Sequence, residues 1–137
     1  MEKEFIPYEQ ALALKELGFD EPCLAMFDEY KIFEYNSILH NANILIDCVS
    51  APLYPQAFRW FREKYGLWVR FSYDENELEE MYWYVDKEFE EGIGPLFFDD
   101  LEEFSTYEEA ELECLKKLIE ISKRKTIIKK KNNNGSR

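Results

Sequence analysis

Apolar positions change their period several times along the chain, and each change marks an element. From Tyr8 to Leu17 the run Ala11-Leu12-Ala13-Leu14 is apolar nearly all round, which predicts a helix wedged against a core. Pro7 opens it, and Gly18 closes it where the chain must turn left-handed. A second helix is predicted from Pro55 to Tyr65, with Gly66 as its stop. Ala57, Phe58, Trp60, Phe61 and Tyr65 fall on its buried side, and Gln56, Arg59, Arg62 and Glu63 on its wet side. A third, from Thr106 to Ser122, begins with Thr106-x-x-Glu109, a capping box whose side chains satisfy each other's free backbone N–H groups. Tyr107, Ala110, Cys114, Leu118 and Ile121 then recur at helical spacing.

Between the helices the period drops to two. Leu67, Val69, Phe71 and Tyr73 alternate with Trp68, Arg70 and Ser72, while Met81, Trp83 and Val85 alternate with Tyr82, Tyr84 and Asp86. The short polar connection Asp74 to Glu80 predicts that the two pair as a hairpin. Upstream, Leu24 to Phe27, Lys31 to Glu34 and Asn43 to Val49 read as three more strands, the first two joined by a tight turn at Asp28-Glu29. Leu96 to Phe98 adds an edge segment. The order α-β-β-β-α-β-β-(β)-α predicts an α+β fold, with three helices packed on a mainly antiparallel sheet of five to six strands.

Composition narrows the class. At 137 residues, 46% apolar and 17% aromatic, the chain has room for one domain and too much oily surface to stay unfolded. That domain is expected over residues 1–122, with residues 123–137 a basic, Asn-rich, disordered tail. Charge is polarised: the net is −12, but residues 74–113 hold 17 acids against Lys87 alone, and residues 114–137 are strongly basic. The charged opening from Met1 to Glu9 has no apolar core of a leader, and no stretch approaches the length of a membrane span. Cys23, Cys48 and Cys114 form no Cys-x-x-Cys pair, which points to free thiols and a cytoplasmic protein.

Three blocks carry a resemblance. Phe5-Ile6-Pro7-Tyr8 through Cys23, Ala51 through Tyr65, and Thr106 through Ile121 together resemble a family of small uncharacterised proteins from gut anaerobes and their phages. The resemblance spans roughly residues 4 to 122 and implies a phage or mobile-element setting, in the host cytoplasm if phage-encoded. It implies no activity, cofactor or site.

Catalytic chemistry has little to work with. His40 is the one histidine; a pair with Cys23 or Cys48 is conceivable, but both cysteines sit where small apolar side chains pack. Cys23, His40, Cys48 and Cys114 include no closely spaced pair for zinc, and Asp74 to Glu80 lacks the glycine of a calcium loop. Gly92-Ile93-Gly94-Pro95 leads into neither a helix nor a lysine, so no phosphate loop is expected, and no cofactor.

Binding is the better class. An acidic body repels nucleic acid, whose affinity for proteins comes largely from cations meeting phosphates. The expected contact surface is acidic and ring-bearing: Glu77, Glu79, Glu80, Tyr82, Tyr84, Asp86, Glu88, Glu90 and Glu91. Gln56, Arg59 and Arg62 form a candidate anion-contact helix face. The reading is a non-enzymatic protein-interaction module whose partner is an unidentified protein, such as a basic host protein or a second copy of the chain. The alternative is a DNA mimic that inhibits a host DNA-binding or defence enzyme, since same-face strand carboxylates recur every ~6.6 Å like a phosphate row. A third reading is an enzyme that uses His40.

Overall fold

A computed structural model describes the backbone of residues 1–74, 80–87 and 107–135, and the side chains of residues 1–69 and 107–127. The elements are α1 (Tyr8–Glu16), β1 (Cys23–Phe27), β2 (Phe33–His40), β3 (Val49–Ala51), α2 (Tyr54–Tyr65), β4 (Leu67–Asp74), β5 (Glu80–Lys87) and α3 (Tyr107–Gly135). The fold is α+β, with three helices and antiparallel strands. Among the described residues the strands form two ladders, β2-β1-β3 and β4-β5, in place of one sheet of five to six. The chain divides into two compact units, residues 1–57 with 119–137 and residues 58–118.

In the first unit, α1 ends as its sequence dictates. Gly18 adopts φ 98°, its N–H donates to the Lys15 carbonyl at 3.0 Å, and the Phe19 N–H donates to the Leu14 carbonyl at 2.9 Å. This is a Schellman closure, and the Leu14 and Phe19 side chains that flank it are both buried. Ala11 and Ala13 are buried beside them, and α1 lies against β3.

β1 is the central strand, with Cys23, Ala25 and Phe27 buried. The turn into β2 is longer than the expected Asp28-Glu29. The Asp28 carboxylate accepts from the N–H groups of Tyr30 at 2.8 Å and Ile32 at 3.0 Å, and Lys31 turns left-handed at φ 63°. The ammonium of Lys31 lies 5.1 Å from the centre of the Tyr8 ring, which compensates an unfavourable backbone for a lysine. β2 therefore begins at Phe33, not Lys31, and runs on to His40.

The expected strand from Asn43 to Val49 is a 3-10 turn at Ala42–Ile44 followed by a loop, and strand pairing begins at Val49. Short polar side chains take the backbone groups a ladder would have used. Asn41 Oδ1 accepts from the Asn43 N–H at 3.1 Å, and Asn43 Oδ1 accepts from the Ser50 N–H at 2.8 Å. Asn43 Nδ2 donates to the Phe19 carbonyl at 2.8 Å, and Ser50 Oγ accepts from the Ala42 N–H at 2.9 Å.

The second unit carries the C-terminal part of α2, stopped by Gly66 at φ 65° with its N–H donating to the Arg62 carbonyl at 3.1 Å. Trp60, Phe61 and Leu67 are buried, with the Trp60 and Phe61 rings edge-to-face at 5.0 Å. Phe58 and Tyr65 are only half-buried. α3 buries Ala110, Cys114, Leu115 and Leu118 in register with the predicted stripe, whereas Tyr107 is exposed. The helix then continues to Gly135, through the lysine-rich segment from residue 123. Lys and Arg are good helix formers, and an Arg124–Glu120 pair supports the turn where the extension begins. The expected segment Leu96–Phe98 and the capping residue Thr106 lie outside the described residues.

Candidate functional site

The β4–β5 hairpin places the central part of the expected contact surface. Its register sets Glu80 opposite Asp74, Tyr82 opposite Ser72, Tyr84 opposite Arg70 and Asp86 opposite Trp68. Met81 meets Tyr73, Trp83 meets Phe71 and Val85 meets Val69. Positions of the apolar alternation thus pair with each other, and the polar and aromatic positions pair with each other. A slip of one residue would exchange the two sets. Glu77, Glu79, Glu88, Glu90 and Glu91 lie outside the described residues.

The candidate anion-contact residues are engaged within the chain. Gln56 Nε2 donates to Glu21 Oε1 at 3.3 Å and to the Pro22 carbonyl at 3.0 Å, so Gln56 ties the start of α2 to the approach of β1. The Arg62 guanidinium stacks 4.9 Å from the centre of the Trp68 ring. Arg59 is exposed and has an intrachain interaction of its own.

His40 is the cross-strand partner of Cys23, so the ladder brings the two residues opposite one another. Their environments differ. His40 is exposed at the end of a hollow of about 520 Å³ formed by residues Tyr35 to His40. The Cys23 thiol is buried and faces the Glu21 carbonyl at 3.5 Å and Gln56 Oε1 at 3.8 Å. Burial, then the charge of Glu21, push it up to about 12, against a smaller pull from hydrogen bonds with Gln56 and Ser50. Cys114 is likewise pushed up to about 12, by burial and then by Glu111 and Glu113. A nucleophilic cysteine needs the thiolate, which both settings disfavour. Glu111 is itself held above the usual carboxylate range by burial and Glu108.

Sequence reasoning missed two features of the first unit. Lys15 extends its ammonium to three carbonyls of the loop before β3: Leu45 at 2.7 Å, Ile46 at 3.3 Å and Cys48 at 2.7 Å. All three of its protons have acceptors. In β2 Ile38 is 76% exposed, and in that loop Ile46 is 94% exposed. The available signal was charge: Tyr35 to Ile46 contains no Asp, Glu, Lys or Arg in a chain that is 34% charged.

Among the described residues no three His, Cys, Asp or Glu side chains gather as a metal site, and no helix is long and apolar enough to cross a membrane. Comparison of the chain with family models, curated proteins and solved structures finds no match.

Proposed function

We propose that this chain is a small non-enzymatic protein-interaction module of phage or mobile-element type, acting in the cytoplasm. It meets a partner protein through the acidic, ring-bearing side of the β4–β5 hairpin. The observation that carries the reading is the hairpin register, in which Glu80, Tyr82, Tyr84 and Asp86 fall opposite Asp74, Ser72, Arg70 and Trp68. Alternation along paired strands puts such positions on one side of the ladder. Rings at the centre of a contact with charges around them are the composition of binding hot spots and their rims. The net charge of −16 over residues 74–113 favours a basic partner and disfavours direct nucleic-acid binding.

The same charge supports a second reading, mimicry of DNA toward a host DNA-binding or defence enzyme. Capture experiments at low and high salt, with and without duplex DNA as competitor, separate the two. An aromatic contact is expected to survive salt and DNA and to be lost when Tyr82→Ala and Tyr84→Ala are combined. Capture that collapses with salt and is displaced by DNA favours mimicry instead. Loss of biological activity in His40→Ala with partner capture intact would overturn both in favour of an enzyme.

A further inference from the structure

Most of the exposed large apolar side chains among the described residues belong to β2 and to the turn that follows it. Tyr35, Ile38, Leu39, Ile44, Leu45 and Ile46 are all exposed. At roughly 200 Å² for a fully exposed large side chain, their exposures together amount to on the order of 800 Å². One partner of a standard interface contributes ~800 Å², so most of these side chains have to share the contact.

Part of this stretch is tied down. The Lys15 ammonium fixes the carbonyls of Leu45, Ile46 and Cys48, and Asn43 bonds through both ends of its amide. Tyr35 packs edge-on to Phe5 with ring centres 6.3 Å apart. A surface ordered before binding loses less entropy on binding.

Charge and strand geometry decide what fits there. The chain is 34% charged, and its acidic and basic segments lie elsewhere in the sequence, over residues 74–113 and 114–137. Tyr35 to Ile46 is the exception, a stretch with no Asp, Glu, Lys or Arg, and it offers a cationic partner no carboxylate to pair with. β2 also leaves the ladder within this stretch. Tyr35 pairs with Ala25 and His40 with Cys23, so Asn36 to Leu39 form a bulge opposite Leu24 alone. Such a bulge interrupts the edge and opposes open-ended strand addition. What remains is a side-chain contact that closes on itself, and an uncharged apolar patch is its own complement under a two-fold axis.

We propose that the β2 bulge and the Ile44–Ile46 turn form the face of a symmetric homodimer, independently of the hairpin surface. The test is sedimentation velocity on the full chain from about 1 to about 100 μM, with far-UV circular dichroism to confirm folding. The wild type is expected at twice the chain mass. Ile38→Asp and Ile46→Asp are each expected to raise the dimer Kd about 30-fold or more. Ile38→Ser, a milder change, shifts it in the same direction, and Tyr82→Ala leaves it unchanged. A wild type that stays monomeric overturns the proposal, as does a dimer that both aspartate variants leave intact. A monomer that floats with phosphatidylcholine vesicles overturns it in favour of a lipid surface.

Discussion

The central strand β1 has neighbours of opposite character on its two sides. On one side β3 buries Val49, Ser50 and Ala51. On the other, β2 leaves most of its positions exposed, Ile38 and Leu39 among them. The difference lies in what covers each strand. α1 lies against β3, and the residues at that contact are small: Ala11 and Ala13 on the helix, Ser50 and Ala51 on the strand. Small side chains allow close approach, and Ser50 tolerates full burial because its N–H and its hydroxyl are both hydrogen-bonded. β2 is an edge strand, and its large aliphatic residues are left in water.

The comparison can be broken at several points. The largest effect is expected at Phe27→Ala on β1, which removes a buried ring in edge contact with both Tyr8 and Phe33. Loss of its transfer energy plus the cavity should cost about 3–5 kcal/mol, read as a fall in the denaturation midpoint at constant m-value. Ser50→Ala comes next. It leaves the Ala42 N–H without its acceptor in a buried setting and should cost about 1–3 kcal/mol by the same measurement.

The buried thiols sharpen the contrast through pH. Cys23 in the folded chain titrates at about 12, against 9.0 for an ordinary thiol. Below the lower value both states hold the proton and stability does not depend on it. Between the two, the unfolded chain releases a proton that the folded chain keeps, so stability should fall as pH rises through that window. Cys114 acts in the same direction, and Cys23→Ala should remove only its own part of the slope in pH-dependent denaturation. The smallest effect on chain stability belongs to the uncovered side. Ile38→Ser should lie within about 0.5 kcal/mol of wild type at concentrations where the protein is monomeric.

Elements with a local cause were legible in the sequence. Gly18 after an apolar helix and Gly66 after an aromatic one both mark helix stops, and both adopt positive φ. The hairpin from Leu67 to Asp86 was visible from alternation alone, because a period of two fixes both strand and face. Asn43 to Val49 was misleading for a related reason. Its apolar residues look like a buried strand, but Asn41, Asn43 and Ser50 hold the backbone in a turn, and Lys15 reaches the loop from 30 positions away. Competition of that kind is invisible to a window of ten residues. The end of α3 has no apolar periodicity to announce it, and there Lys and Arg, good helix formers, continue the helix to Gly135. At the candidate site, alternation found the pairing positions of β5, but not that Gln56 and Arg62 have partners within their own chain.

The central claim is that the chain works by contact, and that the contact includes the polar and aromatic positions of β5. It is tested most directly by placing a photo-crosslinking phenylalanine derivative at position 84, and for comparison at the exposed helix position 63, in cells expressing the full chain. The account predicts one discrete protein adduct from position 84 that is missing from position 63. An absence of adduct at position 84, or the same adducts from both positions, would contradict it.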